Sequence, residues 1–377
     1  MLGADRFHLR GVVLPDGEQR DVWVVDGLVR LEPVRDAVTL VDQGYLLPGL
    51  VDAHCHVGLE SDGAVPEDVA EQHALAERAA GALLLRDAGS PADTRWMDDR
   101  EDLPRLIRAG RHIARPKRYL RNYGAEVEPE ELVAEVERQA ARGDGWVKLV
   151  GDWIDRGVGD LAPLWPAGAA RLAIERAHQL GARVTAHVFG EQAAAELVEA
   201  GIDGIEHGTG IGAEVIALMA ERQVALVPTM LQLDNFERYA AQGEARFPRY
   251  ASHMRALYAR RLDTFGAAHD AGVPIYAGTD AGGYLPHGLV AQEIAALAQI
   301  LGPTGALAAG SWAGRAWLGQ PDVLTDGAPA DLIVLDVDPR RELAVLRSPQ
   351  YVILRGRVVE ARASKSSRPG PDRVDTP

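Results

Sequence analysis

From Leu46 onward, short apolar runs alternate with longer amphipathic segments, and this alternation constrains the fold more than any other feature of the chain. In the amphipathic segments, apolar residues recur at intervals of three and four, which predicts helices over 66–80, 128–141, 169–180 and 247–271. The apolar runs predict eight strands, over 46–57, 82–88, 112–120, 145–150, 183–189, 204–207, 224–230 and 273–280. Strands that alternate with helices form parallel sheets, and eight such units close into a (β/α)8 TIM barrel. The sequence therefore predicts an α/β chain with a barrel over residues 46–319.

The two ends of the chain carry strand-like runs outside this pattern. Runs over 11–14 and 22–25 flank Pro15-Asp16-Gly17, a turn sequence that predicts a hairpin. After a helical stretch over 304–318, further strand-like runs over 330–335 and 351–359 are able to pair with the first ones. Residues 1–45 and 320–360 are therefore predicted to form one small discontinuous β domain. Residues 361–377, with little apolar content, are expected to be a disordered tail.

Composition limits the classes of partner and compartment. The formal net charge of -15 argues against broad binding to nucleic acid or anionic lipid. No stretch reaches the roughly 18 apolar residues that a membrane span needs, and the first ten residues lack the apolar core of a secretory signal. The single cysteine, Cys55, leaves no intramolecular disulfide and no cysteine-rich metal site. We expect a cytoplasmic protein with no membrane or nucleic-acid partner, either monomeric or a homo-oligomer.

Two histidines stand at the end of the first predicted barrel strand. Side chains two apart on a strand point to the same face, so His54 and His56 both face the barrel interior at its carboxyl end. Barrels of this kind keep their active sites at that end. The functional interpretation is a pair of metal ligands; the alternative is a pair of core histidines bonded to backbone carbonyls.

Three more polar residues close predicted strands that converge on the same end of the barrel. These residues are His187, His207 and Asp280. A buried acid needs a charge partner or a metal, although an aspartate alone in such a place is more often a helix N-cap. Four histidines at strand ends are hard to explain by packing, so the sequence predicts a metal site formed by His and carboxylate side chains.

By these residues the chain resembles the amidohydrolase superfamily, and its imidazolonepropionase-like and prolidase-like branch in particular. The matching runs occur in the family's order along almost the whole chain. They are Pro-Gly-Leu-Val-Asp-Ala-His-x-His at 48–56, Leu-Arg-Asp-Ala-Gly at 85–89, Ala-His at 186–187, Glu-His-Gly at 206–208, Ala-Gly-Thr-Asp at 277–280 and Ala-Pro-Ala-Asp-Leu-Ile-Val-Leu at 328–335. The resemblance implies that both chain ends form a β-sandwich beside the barrel, and that metal-activated water attacks an amide or a related centre.

The resemblance also gives a role to Lys148, which lies in the apolar run Trp-Val-Lys-Leu-Val. In the family, a lysine on this strand is commonly carbamylated and bridges two metals. The resemblance then implies that His54 and His56 hold one ion, that His187 and His207 hold the other, and that Asp280 binds the first. A salt-bridged or snorkelling lysine beside a one-metal site is the alternative.

Zinc is the divalent metal expected for such ligands, although manganese, cobalt and iron also fit. Asp280 is expected to be the catalytic acid and base. The predicted reaction is cleavage of a C–N amide bond in a small molecule: a dipeptide, an N-acyl amino acid or a cyclic amide. Two alternatives remain, a one-metal heterocycle deaminase and a catalytically silent binding protein.

Substrate contacts are predicted near the carboxyl ends of the third and eighth strands. Arg118, Arg121 and Tyr123 follow the third strand, where a guanidinium would bind a substrate carboxylate. His287 follows the eighth strand. A solvated basic loop is the alternative for the arginines, and a surface or capping role for His287. His112 is interpreted as a structural or exposed residue.

Overall fold

Strands from both ends of the chain pair in one eight-stranded sheet. The predicted hairpin is confirmed, because Arg6–Val13 pairs antiparallel with Glu18–Val25. Tyr45–Pro48 lies between Arg6–Val13 and Leu332–Leu335, and so joins the amino-terminal strands to the carboxyl-terminal ones. The other strands of this sheet are Leu28–Arg30, Val38–Val41, Tyr351–Leu354 and Arg357–Ala361.

The structure is a computed structural model, and it describes residues 6–362. Of the predicted disordered tail, Ala361 belongs to the last strand, and the Arg362 amide donates to the Gln350 carbonyl. The rest of the predicted tail lies outside the described residues. In the described part of the chain, no helix has the length and apolar character needed to cross a membrane.

The strands between these ends form two parallel sheets. One sheet contains, in spatial order, Ala125–Glu126, Ile113–Ala114, Trp146–Val150, Arg183–Val188, Gly204–His207 and Ala225–Val227. The other contains Ala281–Gly283, Leu50–Glu60, Ala82–Asp87 and Arg105–Arg108, with Gly63–Ala64 antiparallel on the longest strand. Backbone hydrogen bonds from the Asp144 amide to the Arg108 carbonyl and from the Tyr276 amide to the Leu226 carbonyl link segments of the two sheets. The α/β class is therefore confirmed.

Helices follow most of the parallel strands. The four predicted helices are present, with bounds Glu67–Ala79, Leu132–Arg142, Ala167–Gln179 and Pro248–Asp270. The predicted stretch 304–318 contains the end of Val290–Ala309 and the separate helix Trp312–Trp317. The remaining α-helices are Glu191–Glu199, Ala213–Arg222, Met230–Leu233 and Phe236–Glu244. An antiparallel hairpin, Asp152–Asp155 with Asp160–Pro163, follows the strand that contains Lys148.

Two predicted strands are wrong. In the range 112–120 only Ile113–Ala114 is a strand, and Pro116 follows it closely. The partner of Ala82–Asp87 is instead Arg105–Arg108, whose short apolar pair lies between arginines and escapes a pattern search. The range 273–280 contains no assigned strand, because Pro274 lacks an amide hydrogen and only an isolated bridge at Ile275 forms.

Candidate metal centre

Five side chains predicted from the sequence as metal ligands converge at one place in the structure. His54 and His56 lie within Leu50–Glu60, His187 near the end of Arg183–Val188, and His207 at the end of Gly204–His207. Asp280 immediately precedes Ala281–Gly283. All five residues are buried. Ligand atoms of His54, His207 and Asp280 lie within 4.8 Å of one another, so these three side chains form a group able to hold a metal ion.

The distances between the polar atoms are short. His54 Nε2 lies 3.2 Å from His56 Nε2, and both nitrogens lie near Asp280 Oδ1, at 3.1 and 2.9 Å. His187 Nδ1 lies 2.9 Å from His207 Nε2. The potential ligand atoms therefore lie about 3 Å apart within two groups, one of His54, His56 and Asp280 and the other of His187 and His207.

The second nitrogen of three imidazoles is held by an acceptor. His54 Nδ1 lies 2.6 Å from Glu206 Oε2, and His56 Nδ1 lies 2.7 Å from the Gly89 carbonyl. Carboxylates and carbonyls only accept, so each Nδ1 carries the proton and each Nε2 presents a lone pair to the centre. His207 Nδ1 contacts the Thr229 hydroxyl at 2.7 Å, which is able to accept in the same way. Metal-binding histidines are oriented by outer partners of this kind.

A divalent cation fits this arrangement. Two imidazole lone pairs and a carboxylate oxygen at about 3 Å repel one another unless protons or a cation lie between them. Burial alone would raise the pKa of Asp280, but the neighbouring imidazoles of His54 and His56 hold it well below its usual range. Asp280 is therefore ionised. The donor set of imidazole nitrogens and a carboxylate suits zinc and related divalent metals.

Lys148 lies beneath the histidines in the strand Trp146–Val150 and is only 1% exposed. Among residues 6–362, its ammonium forms neither a hydrogen bond nor an ion pair, so the salt-bridge and snorkelling interpretations do not apply. Burial lowers the pKa of Lys148 to about 8, although the carboxylates of Glu206 and Asp280 act in the opposite direction. A minor fraction of this amine is therefore neutral near physiological pH.

The sequence interpretation missed a buried ion pair behind the histidines. Arg86 Nη2 donates to Glu206 Oε1 at 2.5 Å, and both side chains are fully buried. Thr185 donates its hydroxyl proton to the same carboxylate oxygen. Arg86 and Glu206 lie in two of the motifs quoted above. Each is a charged residue within an apolar run, and this was the signal that could have indicated a buried ion pair. The pair fixes the orientation of His54 through the Nδ1 contact.

His112 was placed incorrectly by the sequence interpretation. The residue is buried, its ring centroid lies 4.9 Å from that of His56, and burial lowers its pKa well below the ordinary value. The error follows from the mispredicted third strand, which put His112 at a strand start. His112 instead contacts the candidate metal centre.

A cavity of about 150 Å³ opens onto the centre at His56, His187 and Asp280. Of the four predicted substrate contacts, Tyr123 lines this cavity. Arg118, Arg121 and His287 are not among the described residues that line it.

The structure gives other surroundings to these three residues. Arg118 pairs with Asp155 at 2.8 Å, and Arg121 is exposed. His287 Nδ1 contacts Glu77 Oε1 at 2.9 Å. The geometry therefore gives no support to a substrate-binding role for these three residues.

Comparison with known proteins identifies the family. The fold and the site define the class, that of α/β enzymes with a group of buried histidine and carboxylate side chains able to hold a metal ion. The model of the amidohydrolase family matches residues 45–359, and the chain belongs to that family. The chain is accordingly an amidohydrolase enzyme.

Individual relatives cover nearly the whole chain. An uncharacterized protein of Mycobacterium tuberculosis (strain H37Rv) is 57% identical over 357 residues, which cover 94% of this chain and 96% of the relative. A crystal structure of a putative prolidase from Bifidobacterium longum matches with a TM-score of 0.78 at 23% identity, covering 93% of this chain and 94% of that one. The ochratoxinase of Aspergillus niger matches with a TM-score of 0.76 at 19% identity, covering 95% and 96%. At these identities the two structures support the fold alone.

Proposed function

We propose that this enzyme hydrolyses a C–N amide bond of a small molecule, using two divalent cations, with zinc as the natural choice. His54, His56 and Asp280 would hold one ion, His187 and His207 the other, and a carbamate on Lys148 would bridge them. The observation that carries the proposal is a buried lysine without a partner among residues 6–362, placed below histidines that open onto a cavity. In this proposal the two parallel sheets form the predicted (β/α)8 barrel, and the eight-stranded terminal sheet belongs to the separate β domain.

The lysine environment supports carbamylation. Carbon dioxide adds to a neutral amine, and the lowered pKa of Lys148 supplies one. The product, a carbamate, is an anion. It would replace a buried ammonium that has no ion-pair partner among residues 6–362 by a ligand for metal cations. A lysine without such a role would remain desolvated and unpaired, which is costly.

The chain's own groups divide the remaining work. Bound divalent ions lower the pKa of water and polarise a carbonyl group. Asp280 lines the cavity and is ionised, so it accepts a proton from the attacking water and returns it to the leaving nitrogen. Glu206 and the Gly89 carbonyl keep His54 and His56 in the tautomer that presents Nε2. Tyr119 and Trp153 pack beside His187, with ring centroids 5.6 and 5.4 Å from its ring.

The test is the metal content of enzyme purified without chelator, for the parent and for Lys148→Ala. We expect about two ions per chain in the parent and fewer in the variant, with activity partly restored by added acetate or propionate as a replacement carboxylate. Lys117→Ala, which alters an exposed lysine, is the matched control and should keep both ions. One ion in the parent and in both variants would contradict the bridge and favour the deaminase alternative. No bound ion after metal supplementation would contradict the hydrolase itself.

A further inference from the structure

The wall of the cavity is mostly aromatic. Tyr119, Trp153 and Phe189 form one side, with ring centroids 4.9 Å apart for the first two and 6.4 Å apart for the second two. Tyr239 and Tyr284 contact each other at 6.1 Å and also line the cavity. The first group of rings begins at the candidate metal ligands, because Tyr119 and Trp153 both contact His187. A flat ring would pack well against such a surface.

The wall offers no positive side chain. Among the described residues that line the cavity, none is a lysine or an arginine, and Asp280 is the carboxylate present. Arg118 is engaged by Asp155 and by the carbonyls of Trp153 and Ala162. Arg238 is exposed, and its guanidinium lies over the rings of Tyr239 and Tyr284. A carboxylate buried against the rings, away from the candidate metal ligands, would lose its hydration without gaining a cation.

Apart from the candidate metal ligands, the polar side chains that line the wall are neutral. Gln232 and Gln242 present amides, and the buried hydroxyl of Tyr123 has no hydrogen-bond partner within residues 6–362. Burial raises the pKa of Tyr123, so this hydroxyl stays protonated. Groups of this kind bind neutral acceptors such as a carbonyl or ether oxygen.

The volume of the cavity is sufficient for a single ring. A cavity of about 150 Å³ is comparable to apolar protein cavities of roughly 150 Å³ that bind benzene. We propose, building on the hydrolase function above, that the substrate is a small uncharged aryl amide whose ring packs against Trp153. Dipeptides and N-acyl amino acids, which carry a free carboxylate near the scissile bond, are then poor substrates.

The reaction is a balanced hydrolysis. Water adds its oxygen to the acyl carbon, the C–N bond breaks, and the nitrogen leaves as a neutral arylamine after it gains a proton. The acyl group leaves as a carboxylate, and the second proton of the water is released to solvent. No oxidant, reductant or further reactant is needed.

The first experiment measures binding to the metal-loaded enzyme by isothermal titration calorimetry. The ligands are benzamide and 4-carbamoylbenzoate, which differ by one carboxylate. We expect benzamide to bind at least about 10-fold more tightly, and Trp153→Leu to weaken benzamide binding by about 10-fold. Equal or tighter binding of 4-carbamoylbenzoate, or no binding of either ligand, would overturn the inference.

The second experiment measures turnover of acetanilide and 4-acetamidobenzoate by the same preparation. We expect kcat/KM to be about 100-fold higher for acetanilide. The Arg238→Gln variant, which removes the exposed cation near the rings, should leave this ratio unchanged. Faster turnover of 4-acetamidobenzoate, lost in Arg238→Gln, would overturn the inference and leave the hydrolase function standing. If benzamide binds more tightly than 4-carbamoylbenzoate but none of the amides is turned over, the result contradicts the hydrolase function and supports the preference of the aromatic wall for uncharged rings.

Discussion

Glu206→Gln is expected to destabilise the protein strongly, although the two side chains have nearly the same size. The two Glu206 oxygens accept hydrogen bonds from Arg86 Nη2 at 2.5 Å and from His54 Nδ1 at 2.6 Å. The Thr185 hydroxyl donates to the same carboxylate. Because all three partners are donors, the amide nitrogen of a glutamine faces a donor in either orientation.

Arg86 sets the magnitude of this effect. Its guanidinium is fully buried and lies over the rings of Trp146 and Trp317, at 4.7 and 4.9 Å from their centroids. Within residues 6–362, Glu206 is the carboxylate that pairs with it. Removing one partner of a buried ion pair costs about 3–5 kcal/mol, and glutamine keeps one accepting oxygen. We therefore expect a loss of about 3 kcal/mol in the free energy of unfolding.

Urea unfolding of chelator-treated protein, followed by tryptophan fluorescence, measures this loss. Glu175→Gln, at an exposed helix position, is the control and should change the free energy of unfolding by less than about 0.5 kcal/mol. The double variant Arg86→Met with Glu206→Gln should recover part of the stability, because the unpaired cation is gone.

Glu206→Gln should also lower the metal affinity, which metal titration of the refolded proteins measures. Glu206→Gln should weaken metal binding by roughly 10- to 100-fold, because His54 loses its orienting carboxylate. If Glu206→Gln and Glu175→Gln have the same free energy of unfolding and the same metal affinity, the reasoning is refuted.

Three further predictions concern the site and its support. Asp280→Asn should lower kcat by roughly 100- to 10,000-fold, measured in steady state at equal metal content; ordinary turnover would contradict its acid–base role. Burial raises the pKa of Glu293 to about 8 in the folded protein, above the ordinary 4.5. The folded state therefore binds this proton more tightly than the unfolded state does. The resulting stabilisation is complete below pH 4.5 and is lost as the pH rises towards 8. The free energy of unfolding should therefore fall over that pH range relative to Glu293→Gln, and parallel profiles would contradict it. Gly278→Ala should destabilise the protein by about 1–3 kcal/mol, because its Cβ would lie 2.6 Å from His54 Cβ, whereas the helical control Gly266→Ala should stabilise it by about 0.5–1 kcal/mol in the same denaturation assay.

The predicted ligands came together because local rules determine their positions. The period of two along a strand puts His54 and His56 on one face, and the ends of parallel strands converge, which brings in His187 and His207. These rules need only a correct assignment of each strand. Asp280 is the exception, because no strand forms over 273–280; the hydrogen bond from its amide to the His54 carbonyl holds it beside the histidines.

The features that the sequence did not predict depend on contacts between segments that are distant in the chain. Arg86 and Glu206 are separated by 120 positions, and neither shows from its own neighbours that it meets the other in the core. His112 was lost because Pro116 interrupts its apolar run and the strand Arg105–Arg108 is too short to recognise. The aromatic wall has the same origin, since Tyr119, Trp153 and Tyr239 come from three separate segments.

The pairing of Tyr45–Pro48 with Leu332–Leu335 imposes an order on biosynthesis. About 280 residues separate these partners, so at 5–20 residues per second the ribosome needs roughly 15–60 s to make the second after the first. During this time Tyr45–Pro48 has an open edge of unpaired amide and carbonyl groups, which is a template for pairing with another nascent chain. Expression yield should therefore depend on translation speed and on chaperones that cover this edge until the last strands emerge.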